Sequence, residues 1–229
     1  MKPPGSVRIE VAAKANELIL CCSADIAATI LESGTCRDYA AGDRIFSQGD
    51  APSHVFLLEA GGVTLSRETH SGKRLIVKLV HPGKGFGFQA VVVQMPQLVT
   101  AEAIEPSGMY VIPAAAFMRA VSANAPMLST LVQLAMRDYE QMLEFVESLA
   151  FRPAAARILE LLLRLTDPEV HADVNLFRQR ELAEMVGVSR ETLNLQLTVL
   201  ERAGLIRRDA GHVAVTNRES VRLVIERSA

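Results

Sequence analysis

LAEMVGVSRETLNLQLTVLERAGLI, from Leu182 to Ile206, is the stretch whose reading decides the fold. Leu182, Ala183, Met185 and Val186 set an apolar face at helical spacing, Gly187 is free to turn with positive φ, and Val188 plugs the corner. Ser189 is suited to cap a second helix. The apolar stripe of that helix, Leu193, Leu197 and Leu200, leaves Arg190, Glu191, Asn194 and Gln196 outside it. Two short helices joined through a glycine, with polar side chains on the first turn of the second, predict a helix-turn-helix. An arginine there can donate two parallel hydrogen bonds to guanine O6 and N7, and a glutamate can accept from the cytosine amino group. Arg190 and Glu191 are therefore the expected base readers; Ser189, Asn194 and Leu195 complete the DNA-facing set, with Arg178 ahead of the first helix.

The same spacing occurs in ordinary helical hairpins, and the residues that follow favour the DNA-binding reading. Gly204 fits the position after a helix end, Leu205 to Arg208 reads as a strand, Asp209-Ala210-Gly211 as a turn and His212 to Val215 as a returning strand. A hairpin directly behind a helix-turn-helix is a wing.

Charge follows the same division. The 229 residues carry a net charge of −2, which excludes a generally basic nucleic-acid coat. From Arg152 onward there are 12 Arg, no Lys and 11 acidic residues, against 12 basic and 15 acidic before it. Arginine in place of lysine suits bidentate contacts to phosphate and guanine. Hydrophobic residues make up 49% of the chain, enough for one large or two modest cores. Of the three cysteines, Cys21 and Cys22 are adjacent and Cys36 is alone, so neither a disulfide framework nor an iron–sulfur cluster held by this chain is expected. With no apolar leader in MKPPGSVR and no run approaching a membrane span, the reading is a soluble cytoplasmic protein without a membrane partner.

Working toward the N-terminus, Pro153 opens a helix carrying Ile158, Leu161, Leu162 and Leu165, and Ala150 to Arg152 is a break before it. Asp167 to Asn175 is the loop ahead of the helix-turn-helix. Pro126 opens a long helix on which Leu128, Val132, Ala135, Tyr139, Met142, Val146 and Leu149 alternate in steps of four and three, the period of a coiled-coil seam. A second copy of the chain is the natural partner for that seam. Leu131, Leu134, Leu143 and Phe145 leave apolar surface for packing on its own domain as well. Between Cys36 and about Pro113, short β-type runs (Arg44 to Phe46, Val55 to Leu58, Val63 to Ser66, Leu75 to Leu79, Met109 to Ile112) are punctuated by Gly42, Gly49-Asp50, Gly61-Gly62, Ser71-Gly72 and Pro82-Gly83. Such spacing predicts an antiparallel barrel or jelly roll. Ser23 can cap a short helix ending near Gly34, and residues 1–8 read as a tail. The fold class expected is α+β: an antiparallel β jelly roll with flanking helices over residues 1–125, a dimerisation helix over 126–150, and a winged helix-turn-helix over 151–229.

That order of parts resembles the Crp/Fnr family of bacterial transcription regulators over nearly the whole chain. The motifs carrying the resemblance are GDRIFSQGD (Gly42 to Asp50), VFLLEAGGV (Val55 to Val63), GVSRETL (Gly187 to Leu193) and LERAGLI (Leu200 to Ile206). The resemblance implies a sensory roll, dimerisation through long helices, recognition helices in successive major grooves of a near-palindromic double-stranded DNA, and contact with RNA polymerase in activation. It also places the effector pocket at Phe86, Gly87, Phe88, Gln89, Gln97, Leu98, Val99 and Thr100. Two departures stand out. Phe88 occupies the position of the glutamate of the family's cyclic-nucleotide readers, and Gln97 and Leu98 fall where their Arg-Ser pair meets the cyclic phosphate. On the recognition helix, Leu195 stands where a further basic residue usually follows.

An anionic phosphate and a ribose hydroxyl need a cation, donors and an acceptor, and the largely apolar segment from Phe86 to Thr100 holds no Arg or Lys. Cyclic AMP is therefore not expected as effector. Either the roll takes an apolar or aromatic molecule oriented by a glutamine, or Phe88 and the valine run fill it and the dimer is set constitutively for DNA; the second is preferred. The rival function is a ligand-sensing or scaffolding dimer whose winged domain binds protein, with Leu195 as its motive. The five histidines show no paired metal spacing and no nucleophile motif is present, so no enzyme and no metal site are expected. Nothing in the spacing selects His54, His70 or His81 as a haem ligand, so no cofactor is expected.

Overall fold

A computed structural model describes residues 16–20, 22–166, 177–209 and 212–226. The expected N-terminal tail, Cys21, the loop from Asp167 to Asn175 and the Ala210-Gly211 turn lie outside the described residues. The chain forms two compact units, residues 1–72 with 78–139, and residues 73–77 with 140–229.

The first unit is the jelly roll. Helices α1 (Glu17–Leu20) and α2 (Ala24–Ser33) precede β1 (Thr35–Tyr39), β2 (Arg44–Phe46), β3 (His54–Ala60), β4 (Val63–Glu68), β5 (Arg74–Val80) and β6 (Gly85–Phe86). Next come α3 (Phe88–Val93), β7 (Thr100–Ala103), β8 (Ser107–Pro113) and α4 (Ala114–Ala123). Two four-stranded sheets result, ordered β1-β8-β3-β6 and β2-β7-β4-β5, and every strand pairing described in them is antiparallel. The period of two along β3 and β8 divides the apolar residues between two cores. Phe56, Leu58, Met109 and Val111 face the interior of the roll with Val63, Val80, Phe86 and Ala101. Val55, Leu57 and Ile112 instead meet a helical layer containing Ile30, Phe117, Met127 and Leu131. Because both faces are covered, VFLLEA is nearly continuous in apolar character, with little alternation.

Helix α5 (Ala125–Phe151) starts one residue before the expected proline and continues through Ala150 and Phe151, so the expected break narrows to Arg152-Pro153. Its buried residues, Met127, Leu131 and Leu134, recur at three and four residues, and Leu128, Val132, Tyr139, Met142 and Val146 are exposed.

The second unit contains α6 (Ala154–Leu165), α7 (Gln179–Val186), α8 (Arg190–Arg202), the hairpin β9 (Ile206–Asp209) and β10 (His212–Val215), and α9 (Arg218–Glu226). The wing strand starts at Ile206, one residue later than expected, because Leu205 N–H still bonds the Leu200 carbonyl at 3.0 Å in the helix-ending loop at Gly204. Helices α1, α3, α4 and α9 are not among the elements expected from the sequence.

Candidate nucleic-acid interface and sensory pocket

The helix-turn-helix is built at Gly187. Its φ of +67° ends α7 in the left-handed region, and Val188 N–H reaches back to the Ala183 carbonyl at 3.1 Å. Ser189 Oγ then accepts the Thr192 N–H at 3.1 Å, capping α8. Leu193, Leu197 and Leu200 are buried, which fixes the rotation of α8 and leaves Arg190, Glu191 and Leu195 exposed and Asn194 half-buried. Hydrogen bonds to its own backbone N–H and to the Ser189 hydroxyl hold the Glu191 carboxyl below the usual carboxylate range, so it is an ionised acceptor at neutral pH. Arg178 is exposed at the N-cap of α7, its own N–H bonded to Glu181 Oε2 at 2.7 Å. Of the six residues assigned to DNA from the sequence, Ser189 is thus engaged as a cap, and Arg178, Arg190, Glu191 and Leu195 present free surface. Leu195 is 63% exposed, with Val199 exposed one turn on.

Two arginines do structural work invisible to sequence reading. Arg157 donates from Nε to the Val186 carbonyl at 3.1 Å and from Nη1 to those of Leu149 and Arg152 at 3.3 and 3.1 Å, satisfying carbonyls at the ends of α5 and α7. Arg208 donates from Nε to Glu201 Oε2 at 2.8 Å and from Nη2 to Thr198 at 3.2 Å, fastening the wing to α8. That leaves Arg207, exposed on β9, as a cation of the wing available to phosphate.

In the roll, the expected pocket residues separate. Gly87, at φ +78°, brings the chain close to β3: a Cβ there would lie 3.2 Å from the Phe56 ring. Phe88 and Val91 on α3 are buried in the helix-covered core with Phe117 and Leu131, not against the interior of the roll, so the expected wall of Phe88 and the valine run is absent. A six-residue helix turns that apolar run to the other side. Gln89 Nε2 donates to Asp138 Oδ2 at 2.7 Å, and the Thr100 hydroxyl accepts the Gln48 N–H at 3.0 Å. Leu98 is exposed and Val99 half-buried. Phe86 does face inward, stacked on Phe56 at 5.1 Å with Phe46 at 5.5 Å from Phe56 and 6.1 Å from Phe86. These three rings, drawn from β2, β3 and β6, occupy the space between the sheets. Of the eight residues, Gln97 alone lines the cavity beside them, a space of about 140 Å³.

A double-sheet roll, a long helix and a winged helix-turn-helix with a capped, arginine-bearing recognition helix define a class, the DNA-binding transcription regulators with a cyclic-nucleotide-binding type of domain. Residues 36–124 match the cyclic nucleotide-binding domain and residues 156–223 the Crp-like helix-turn-helix domain. The chain belongs to the Crp/Fnr family of transcription regulators. It is similar to the Cyclic AMP receptor protein of Thermus thermophilus, 29% identical over 182 residues that cover 78% of this chain and 82% of that protein. The HTH-type transcriptional regulator Cmr of Mycobacterium tuberculosis is 25% identical over 86% of this chain and 79% of its own. The fold matches that of a Crp/Fnr-family regulator from Eubacterium rectale with a TM-score of 0.79 at 15% identity, covering 94% of this chain and 100% of that one. No helix among the described residues is long and apolar enough to cross a membrane.

Proposed function

We propose that this regulator works as a homodimer, reads a near-palindromic DNA site through Arg190 and Glu191, and does not respond to cyclic AMP. In this reading residues 1–125 sense, 126–150 dimerise and 151–229 bind DNA, in the cytoplasm. The observation that carries the DNA reading is the rotation of α8: its leucine stripe is buried and its cap intact, so the first-turn arginine and glutamate face outward together. The dimer reading rests on the outer face of α5, where Val132 is 55% and Met142 41% exposed in line with Leu128, Tyr139 and Val146. Apolar side chains repeating at coiled-coil spacing along one exposed face suit a matching copy of themselves.

Several relatives are named for cyclic AMP, and two observations argue against carrying that effector to this chain. Gln97 and Leu98 offer no cation to a cyclic phosphate, and Phe46, Phe56 and Phe86 take interior space a nucleotide would need. In this reading the three rings, not Phe88 and the valine run, occupy most of the space between the sheets and leave beside them a cavity of about 140 Å³. A second reading, a winged domain that binds protein, is favoured by Leu195 and Val199, two exposed aliphatic side chains one turn apart on the recognition helix.

Fluorescence anisotropy with labelled duplex DNA separates the two readings. The DNA reading expects binding that weakens steeply with salt, as counterions are released from phosphates, and loses about 1 to 3 kcal/mol in Arg190→Ala at the preferred site. Binding no tighter to any duplex than to bulk DNA, and unchanged in Arg190→Ala, favours the protein partner.

A further inference from the structure

The cavity beside the aromatic cluster has a lining of definite chemistry. Phe46 and Phe56 supply aromatic surface, and Arg37, Asp50, His54 and Gln97 supply the polar groups. Gln97 is only 5% exposed, yet among the described residues its side-chain amide has no hydrogen-bond partner; only its backbone is engaged, with Asp50 and Gly49. Its amide atoms still reach solvent, so a group entering the cavity would take over hydrogen bonds otherwise made to water. Arg37 is exposed at the cavity and is in none of the salt bridges found among the described residues.

The remaining charges at the cavity are accounted for. Asp50 Oδ2 accepts the Ser47 N–H at 2.7 Å, which ties this carboxylate to its own turn. His54 Nδ1 lies 2.8 Å from the Ser53 hydroxyl, and burial, then the Arg37 guanidinium, pushes its pKa below the ordinary histidine value, leaving a neutral ring at pH 7. Among the described residues the site therefore offers a guanidinium outside any salt bridge, a solvent-reached amide and an aromatic floor.

Size narrows the ligand further. At about 140 Å³ the space matches a single six-membered ring, since an engineered apolar cavity of roughly 150 Å³ holds benzene. It is too small for a nucleotide or a haem. We propose that this cavity binds a monocyclic aromatic carboxylate, its ring against Phe46 and Phe56, its carboxylate at Arg37 and the Gln97 amide. The guanidinium supplies a charge-assisted hydrogen bond and the amide a neutral one. The proposal concerns binding alone, and is independent of whether the winged unit reads DNA.

Calorimetric titration of the full chain without DNA tests it, with benzoate, benzyl alcohol and acetate as probes. Benzoate should saturate with a dissociation constant on the order of 100 µM, and both benzyl alcohol and acetate should bind at least about tenfold more weakly. Arg37→Gln, a change at an exposed side chain, should weaken benzoate about tenfold and leave benzyl alcohol unaffected. Gln97→Leu, which keeps the volume and removes the amide, should weaken benzoate by a similar factor. Benzoate binding no tighter than acetate, or affinity for benzoate unchanged in Arg37→Gln, overturns the proposal; if Gln97→Leu does not fold, the Arg37 variant decides alone.

Discussion

Gln89 and Asp138, 49 residues apart, are joined by a 2.7 Å hydrogen bond from Nε2 to Oδ2, and Lys78 pairs with the other oxygen of the same carboxylate. One side chain on the long helix thus holds both the short helix behind Gly87 and the strand β5. The groups are partly exposed, so solvent discounts the ion pair. Asp138→Ala should destabilise the roll by about 1 to 2 kcal/mol, and Asp138→Asn, which retains an acceptor for Gln89, by about half as much. Urea denaturation of the purified variants measures both. Equal losses in the two would assign the effect to Lys78 rather than to Gln89.

Replacing Val132 or Met142 with glutamate should convert the proposed homodimer to monomer. Both side chains are exposed on α5 within one chain, so the substitution leaves the fold of each subunit intact. In the seam the charge would be buried without a partner, at a cost of roughly 3 to 5 kcal/mol per dimer. Sedimentation at micromolar concentration reads the outcome, and two variants that stay dimeric would place the seam elsewhere.

Glu59 should make the roll less stable as pH rises. Burial pushes its carboxyl up to about 7, and its Oε1 has no hydrogen-bond partner among the described residues. Below the ordinary value of 4.5 the carboxyl is protonated in folded and unfolded chains alike, and no penalty arises. Between 4.5 and about 7 the unfolded chain ionises first, so stability falls across that window and the penalty is fully present above it. Glu59→Gln should raise the melting temperature at pH 8 relative to the parent and have little effect at pH 4. A parent and variant that differ equally at the two pH values would contradict this.

The parts legible in the sequence were those set by local periodicity and turn chemistry. Leu193, Leu197 and Leu200 fixed α8, Gly187 and Ser189 fixed the turn before it, and VFLLEA marked β3. The sensory pocket was not legible in the same way. Phe46, Phe56 and Phe86 come from three strands with nothing in their spacing to show that they meet, and Arg37 and Gln97 are 60 residues apart in the chain. Phe88 misled because a hydrophobic residue beside a pocket motif can turn to either side, and the short helix α3 turned it to the helical layer. The two-residue β6 was too short to leave a pattern.

Cyclic AMP and cyclic GMP should bind no more tightly than millimolar. Loss of a hydrogen-bonded charge partner for the phosphate costs roughly 2 to 5 kcal/mol, enough to turn a micromolar site into a millimolar one. Calorimetry on the full chain checks this, and a dissociation constant near or below about ten micromolar for either nucleotide would sink it.

Sequence-specific recognition of DNA by a two-fold dimer is tested most directly by unbiased selection from a random duplex library with the full-length protein. The expected result is an enriched near-palindrome whose half-sites lie about one helical turn, roughly 34 Å, apart, with preference at one base pair per half-site relaxed in Arg190→Ala. Leu195 cannot donate to guanine and can touch a thymine methyl, so each enriched half-site should carry a thymine where a basic residue would have selected guanine. A library that emerges without any enriched palindrome would contradict the account.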